Sequence, residues 1–94
     1  MTLANSNVFV NMNITIKLYA MLGEYLPRPA TDHTAEIEIP ADLSVTALIA
    51  QLGIPPAMAH LVLINGVYIE PEARLQRRFQ PGDALAIWPP VAGG

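Results

Sequence analysis

Polar and apolar positions alternate across residues 13–20, with Ile14, Ile16, Leu18 and Ala20 on one side and Asn13, Thr15, Lys17 and Tyr19 on the other. A period of two marks a strand with one buried face. The alternation returns at residues 34–39, where Ala35, Ile37 and Ile39 turn inward and Glu36 and Glu38 outward. Pro27, Pro29 and Asp32 interrupt the pattern between them and mark a loop. Pairing the two strands as an antiparallel hairpin would bring Lys17 within reach of one of the two glutamates.

The period then changes. Pro40-Ala41-Asp42-Leu43 breaks the second strand, and Ser44 stands where the N-cap of a helix over residues 45–52 belongs. Val45, Leu48, Ile49 and Leu52 follow the i, i+3, i+4, i+7 spacing of one apolar stripe. Gly53 suits the left-handed position past the last turn, and Pro55-Pro56 prevents continuation. Leu61-Val62-Leu63-Ile64 reads as a strand, and Asn65-Gly66 is a two-residue hairpin signal before a further strand, Val67-Tyr68-Ile69, which Pro71 ends. Residues 74–80 form a polar connection, Pro81-Gly82-Asp83 a turn, and Ala84-Leu85-Ala86-Ile87-Trp88 the final strand. Strand, strand, helix, strand, strand, strand predicts an α+β fold: a mixed sheet with one main helix on one face. Local patterning leaves the order of pairing open.

With 94 residues, 52% apolar and 14% charged, the chain supports one domain around one core. A net charge of −3 with five Lys and Arg in total argues against nucleic acid as a partner. No apolar run approaches the roughly 18 residues that cross a bilayer, and residues 1–11 lack the basic start and long apolar stretch of a secretory signal. The expectation is therefore a cytoplasmic protein with no membrane partner. Residues 1–11 form an N-terminal extension to the domain, and Met12 is an alternative first residue. There is no cysteine, so any sulfur chemistry needs sulfur from outside.

The candidate chemistry lies in the closing stretch, Pro89-Pro90-Val91-Ala92-Gly93-Gly94, attached directly to the last apolar strand. Paired glycines carry no side chains, so an enzyme can close around their backbone and reach the Gly94 carboxylate. Glycine-rich ends also fray for no functional reason. Fully extended, the stretch reaches at most roughly 20 Å, enough to enter a partner's active site, and Pro89 and Pro90 reduce the entropy lost on insertion. His33 and His60 stand apart from ligand-spaced neighbours and read as surface histidines, so no metal site is expected. Arg74, Arg77 and Arg78 read as a solvated loop, with Arg74 carried as a contact for an acidic partner surface. Glu70 and Glu72 lack a predicted pocket for carboxylate catalysis. Phe79 and Trp88 have the size of core residues, but Trp88 abuts the tail and equally suits a patch that meets a partner.

One family combines these elements. Over residues 12–94 the chain resembles the MoaD/ThiS family of sulfur carriers, and within it the small subunits of molybdopterin synthase. The resemblance rests on Asn13-Ile14-Thr15-Ile16-Lys17-Leu18-Tyr19-Ala20-Met21-Leu22, the helix from Ser44 onward, Ile64-Asn65-Gly66, Pro81-Gly82-Asp83 and the closing Pro-Pro-Val-Ala-Gly-Gly. The chain departs from the family at Gly23, where Arg is usual, at Ala84, where an acidic residue often follows the turn, and at Trp88, where Phe is common.

The resemblance implies a ubiquitin-like β-grasp fold of four to five strands over residues 12–88, with residues 89–94 as an extended tail. It implies that the Gly94 carboxylate, with Gly93 beside it, is adenylated by a ubiquitin-activating-type, MoeB-like adenylyltransferase. A sulfur donor then converts it to a thiocarboxylate, and a MoaE-like large subunit uses the product in molybdenum cofactor biosynthesis. ATP and Mg belong to the activating partner, and no cofactor is bound permanently. Pro89, Pro90, Val91, Ala92, Trp88 and Arg74 are the expected partner contacts. Other readings stay open: a ubiquitin-like modifier conjugated through Gly94, a carrier for thiamin or another sulfur-containing product, or a binding domain with an incidental Gly-Gly end.

Overall fold

The computed structural model describes residues 10–91. The first strand, β1 (Asn11–Leu18), buries Ile14, Ile16 and Leu18 and leaves Asn13 exposed with Thr15 and Lys17 half-buried, as the alternation requires. It starts and stops two residues earlier than the pattern suggests. Ala20 does not continue the inward face: it is exposed with φ +53°, and it opens a 3-10 turn, Ala20–Tyr25, that places Leu22 in the core. A non-glycine residue in the left-handed region ends a strand because its backbone groups no longer align with the ladder.

The second strand, β2 (Thr34–Pro40), buries Ala35 and Ile39 and exposes Glu36 and Glu38. Its antiparallel register sets Lys17 opposite Thr34 and Thr15 opposite Glu36, so the lysine faces a threonine and meets the glutamate only on the diagonal. Helix α1 (Val45–Gln51) begins where Ser44 Oγ accepts a hydrogen bond from the Ala47 N–H at 3.0 Å, and Val45, Leu48 and Ile49 lie on its buried stripe. Gly53 takes φ +85° just beyond it. The remaining strands are β3 (Leu61–Ile64), β4 (Val67–Tyr68) and β5 (Ala84–Trp88). Ile69 lies outside β4 but is buried, with its N–H donating to the Val62 carbonyl at 2.9 Å.

The sheet order is β2-β1-β5-β3-β4. The first and last strands of the described residues are therefore neighbours near the sheet centre, and they run parallel, from Thr15 opposite Ala84 to Leu18 opposite Ile87. Parallel neighbours cannot be joined by a tight turn, and here the whole intervening chain, α1 included, makes the connection. Their inward residues, with the α1 stripe, Ile54, Val62, Ile64 and Phe79, form a single core. Among the described residues, this mixed five-stranded sheet with one α-helix is the β-grasp architecture that the family resemblance implies.

Two turns lock β5 in register. Asn65 and Gly66 take φ +52° and +83°, as a tight hairpin turn with two left-handed residues demands. The Asn65 side-chain amide donates to Asp83 Oδ1 at 2.8 Å, and its Oδ1 accepts from the Ala84 N–H at 2.9 Å. Asp83, 6% exposed, also accepts the Gln80 N–H on Oδ2 at 2.8 Å, while its carbonyl receives the Thr15 N–H at 2.9 Å. One Asn and one Asp thus join the β3–β4 hairpin, the turn before β5, and β1. Replacing Asn65 with Gly removes the side-chain bonds but keeps the backbone free to adopt its angle. We expect a loss of about 1–3 kcal/mol, and about 1 kcal/mol more for Asn65→Ala, which also strains the left-handed position, both read from urea unfolding.

Candidate functional site

Strand β5 carries the closing stretch out of the fold. Trp88 pairs with Leu61 of β3, and its carbonyl accepts the His60 N–H at 3.1 Å, so the backbone is held up to that residue. Pro89 is buried, Pro90 is exposed and Val91 is 80% exposed. The arm is thus anchored by its first proline and exposed at Pro90 and Val91. Ala92, Gly93 and Gly94 lie outside the described residues.

The sheet face opposite α1 surrounds the root of this arm. It presents Ala84, Ala86 and Trp88 from β5, Thr15 and Lys17 from β1, and Leu61 and Leu63 from β3, as the pairing register dictates. Leu63 is paired in turn with Tyr68, which is 49% exposed. Lys17 is the sole charged residue on β1, β3, β4 and β5, so the face is largely apolar around β5 and becomes acidic only at β2. Just past β1, the Tyr19 ring stacks on Trp88 with centroids 4.4 Å apart and planes inclined by 9°. Trp88 is half-buried at the root of the arm and lies outside the core cluster, whereas Phe79 is 2% exposed and belongs to the core.

Arg74 has a different place from the one expected. It is 8% exposed, and its guanidinium donates to the carbonyls of Ile69 and Ala59 at 2.9 Å each and of His60 at 3.3 Å. A buried cation with its donors satisfied by three carbonyls is a structural bracket, since desolvating it without those partners would be costly. The polar connection around it is likewise folded in: the Arg74 and Arg77 carbonyls accept the N–H groups of Thr46 and Val45, donors that a helix start leaves without intrahelical partners. Periodicity gave no sign of this, because the feature is one residue meeting carbonyls distant along the chain. Arg77 and Arg78 donate to nearby carbonyls of their own loop.

A cavity of about 240 Å³ opens between α1 and the following turns, lined by Thr46, Ile49, Ala50, Pro56, Ala59, Pro71 and Arg74. No residue of β5 or the arm lines it, and its one charged group is the guanidinium already engaged. Among the described residues, no three His, Asp or Glu side chains gather as a metal site would require, and no helix is long and apolar enough to cross a membrane.

A mixed sheet whose central strand leads into a proline-anchored arm, with one α-helix on the opposite face, defines the ubiquitin-like β-grasp class. The ThiS family model matches residues 23–94, and the chain belongs to that family. No curated protein matches it. Among solved structures, it is similar to the Haloferax volcanii protein HVO 2177, at 21% identity and a TM-score of 0.69 over 89% of this chain and 88% of that one. It is also similar to SAMP1 from Haloferax volcanii, at 29% identity and 0.58 over 87% and 99%. A Pyrococcus furiosus protein assigned as molybdopterin converting factor, subunit 1, shares the fold at 19% identity and 0.61 over 85% and 99%.

Since Arg74 brackets the fold, Arg74→Met should lower stability by about 2–4 kcal/mol in urea unfolding, because the three carbonyls lose a charged donor.

Proposed function

We propose that this chain is a sulfur carrier that acts through the carboxylate of Gly94, most closely as the small subunit of a molybdopterin synthase. The observation that carries the reading is the placement of the arm: β5 is fixed by neighbours on both sides, Pro89 is buried, and Pro90 and Val91, both exposed, precede Ala92, Gly93 and Gly94 in the sequence. Membership of the ThiS family and the fold shared with the Pyrococcus protein support it.

The chemistry follows from the reacting group. A carboxylate is a poor electrophile because its charge is delocalised, so Gly94 is first joined to AMP, with pyrophosphate leaving from ATP bound with Mg on an activating enzyme. A persulfide on the donor attacks the acyl adenylate and displaces AMP, giving an acyl disulfide. A second thiol of the donor then attacks the donor's own sulfur in that linkage, forming a disulfide and releasing the thiocarboxylate, which delivers its sulfur to a pterin precursor on a large synthase subunit. This chain contributes the carboxylate and the means of presenting it. It has no cysteine, so the sulfur comes from the donor. The apolar face around Trp88 lies where an enzyme enclosing the arm would rest, and burying it there would add hydrophobic stabilisation to the grip on the glycines.

Conjugation of Gly94 to a lysine amine would use the same activation and part from this route at the acceptor. The single lysine, Lys17, would restrict self-linkage to one type.

Incubation with ATP, Mg, an activating enzyme and a sulfur donor should raise the intact mass by the difference between a sulfur and an oxygen atom. An unchanged mass with an enzyme that activates a known carrier would refute the carrier reading, and a product joined through an isopeptide bond would favour the modifier. Removing Gly94 should abolish adenylation while leaving the urea midpoint unchanged, since a terminal residue beyond the folded sheet adds little to stability.

A further inference from the structure

Three rings stand in a row at the root of the arm. Trp88 lies on Tyr19, and Tyr19 faces the His33 imidazole with centroids 5.8 Å apart and planes inclined by 23°. His33 is an exposed residue, yet it is held at two points. Its carbonyl accepts the Leu18 N–H at 2.9 Å, and its Nδ1 lies 3.1 Å from the Leu18 carbonyl oxygen. A carbonyl only accepts, so Nδ1 bears the hydrogen and donates it. Gly23 borders the ring: a Cβ there would stand 3.5 Å from Nδ1, in ordinary van der Waals contact. The sheet has no need of the imidazole, because the ladder between β1 and β2 is made by backbone groups.

We propose that His33 is a positioning residue for activation of the chain end, an inference that rests on the carrier reading. Fixed to Leu18, its ring confines Tyr19, and Tyr19 confines Trp88, the residue immediately before the arm. The activating enzyme then meets a preformed aromatic ledge beside Pro89 and does not have to order two mobile side chains on docking. Preorganisation of this kind lowers the entropy lost on association, and aromatic side chains commonly carry a large share of interface energy. The effect is on recognition of the carrier and leaves the adenylation step itself unchanged.

His33→Asn tests this, because Asn tolerates the φ of +65° that His33 adopts while lacking the ring. Trp88 is the chain's single tryptophan, so its fluorescence reports on the stack alone. We expect acrylamide quenching of Trp88 to rise, the thermal midpoint to stay near that of the parent, and KM for the carrier in pyrophosphate release to increase roughly three- to tenfold with kcat unchanged. If His33 acts through Tyr19, adding His33→Asn to Tyr19→Leu should raise KM no further. Unchanged quenching and KM in His33→Asn, a fall in kcat alone, or additive effects in the double variant would overturn the proposal. Failure of the parent chain to be adenylated would instead count against the carrier reading, with quenching still testing whether His33 holds the stack.

Discussion

The parallel pairing of β1 with β5 is the constraint on which the rest of the structure depends. It joins the first strand of the described fold to the last at the sheet centre, so the register of β5 decides where the arm leaves the protein. A slip of one residue would turn Leu85 and Ile87 out of the core and Trp88 into it, reversing both faces at once. Asn65 and Asp83 oppose such a slip with hydrogen bonds that tie the β3–β4 hairpin to the residues just before β5.

That geometry divides the molecule into a folded part and a presented part. The core needs one face of the sheet, against α1 and the turns bracketed by Arg74. The opposite face carries the half-buried Trp88, next to where the buried Pro89 gives way to the exposed Pro90 and Val91. An arm held at its root explores less space than a free tail, so under the proposed function its capture by a partner would cost less entropy. The stack of Trp88, Tyr19 and His33 extends the ordering of the arm's root onto the adjoining surface.

Much of this was legible in local sequence. The alternation in β1 and β2 identified the inward residues, Ser44 and Gly53 bounded the helix, and Asn65-Gly66 announced its hairpin, because each signal is the preference of a residue for a local backbone conformation. The end of β1 was misplaced by two residues, since alternation continued to Ala20 while the backbone there turned left-handed. Arg74 was misread for a different reason. In sequence it is one of several arginines in a polar stretch, and its burial depends on the carbonyls of Ala59, His60 and Ile69 converging on one point.

By itself the sequence determined the elements, their inward faces and the Gly-Gly ending, because side-chain size, polarity and backbone preference act over a few residues. Tertiary structure alone decided the strand order, the bracketing role of Arg74 and the alignment of His33, Tyr19 and Trp88. These depend on hydrogen bonds and ring contacts between residues far apart along the chain, whose energy exists only once folding has brought them together.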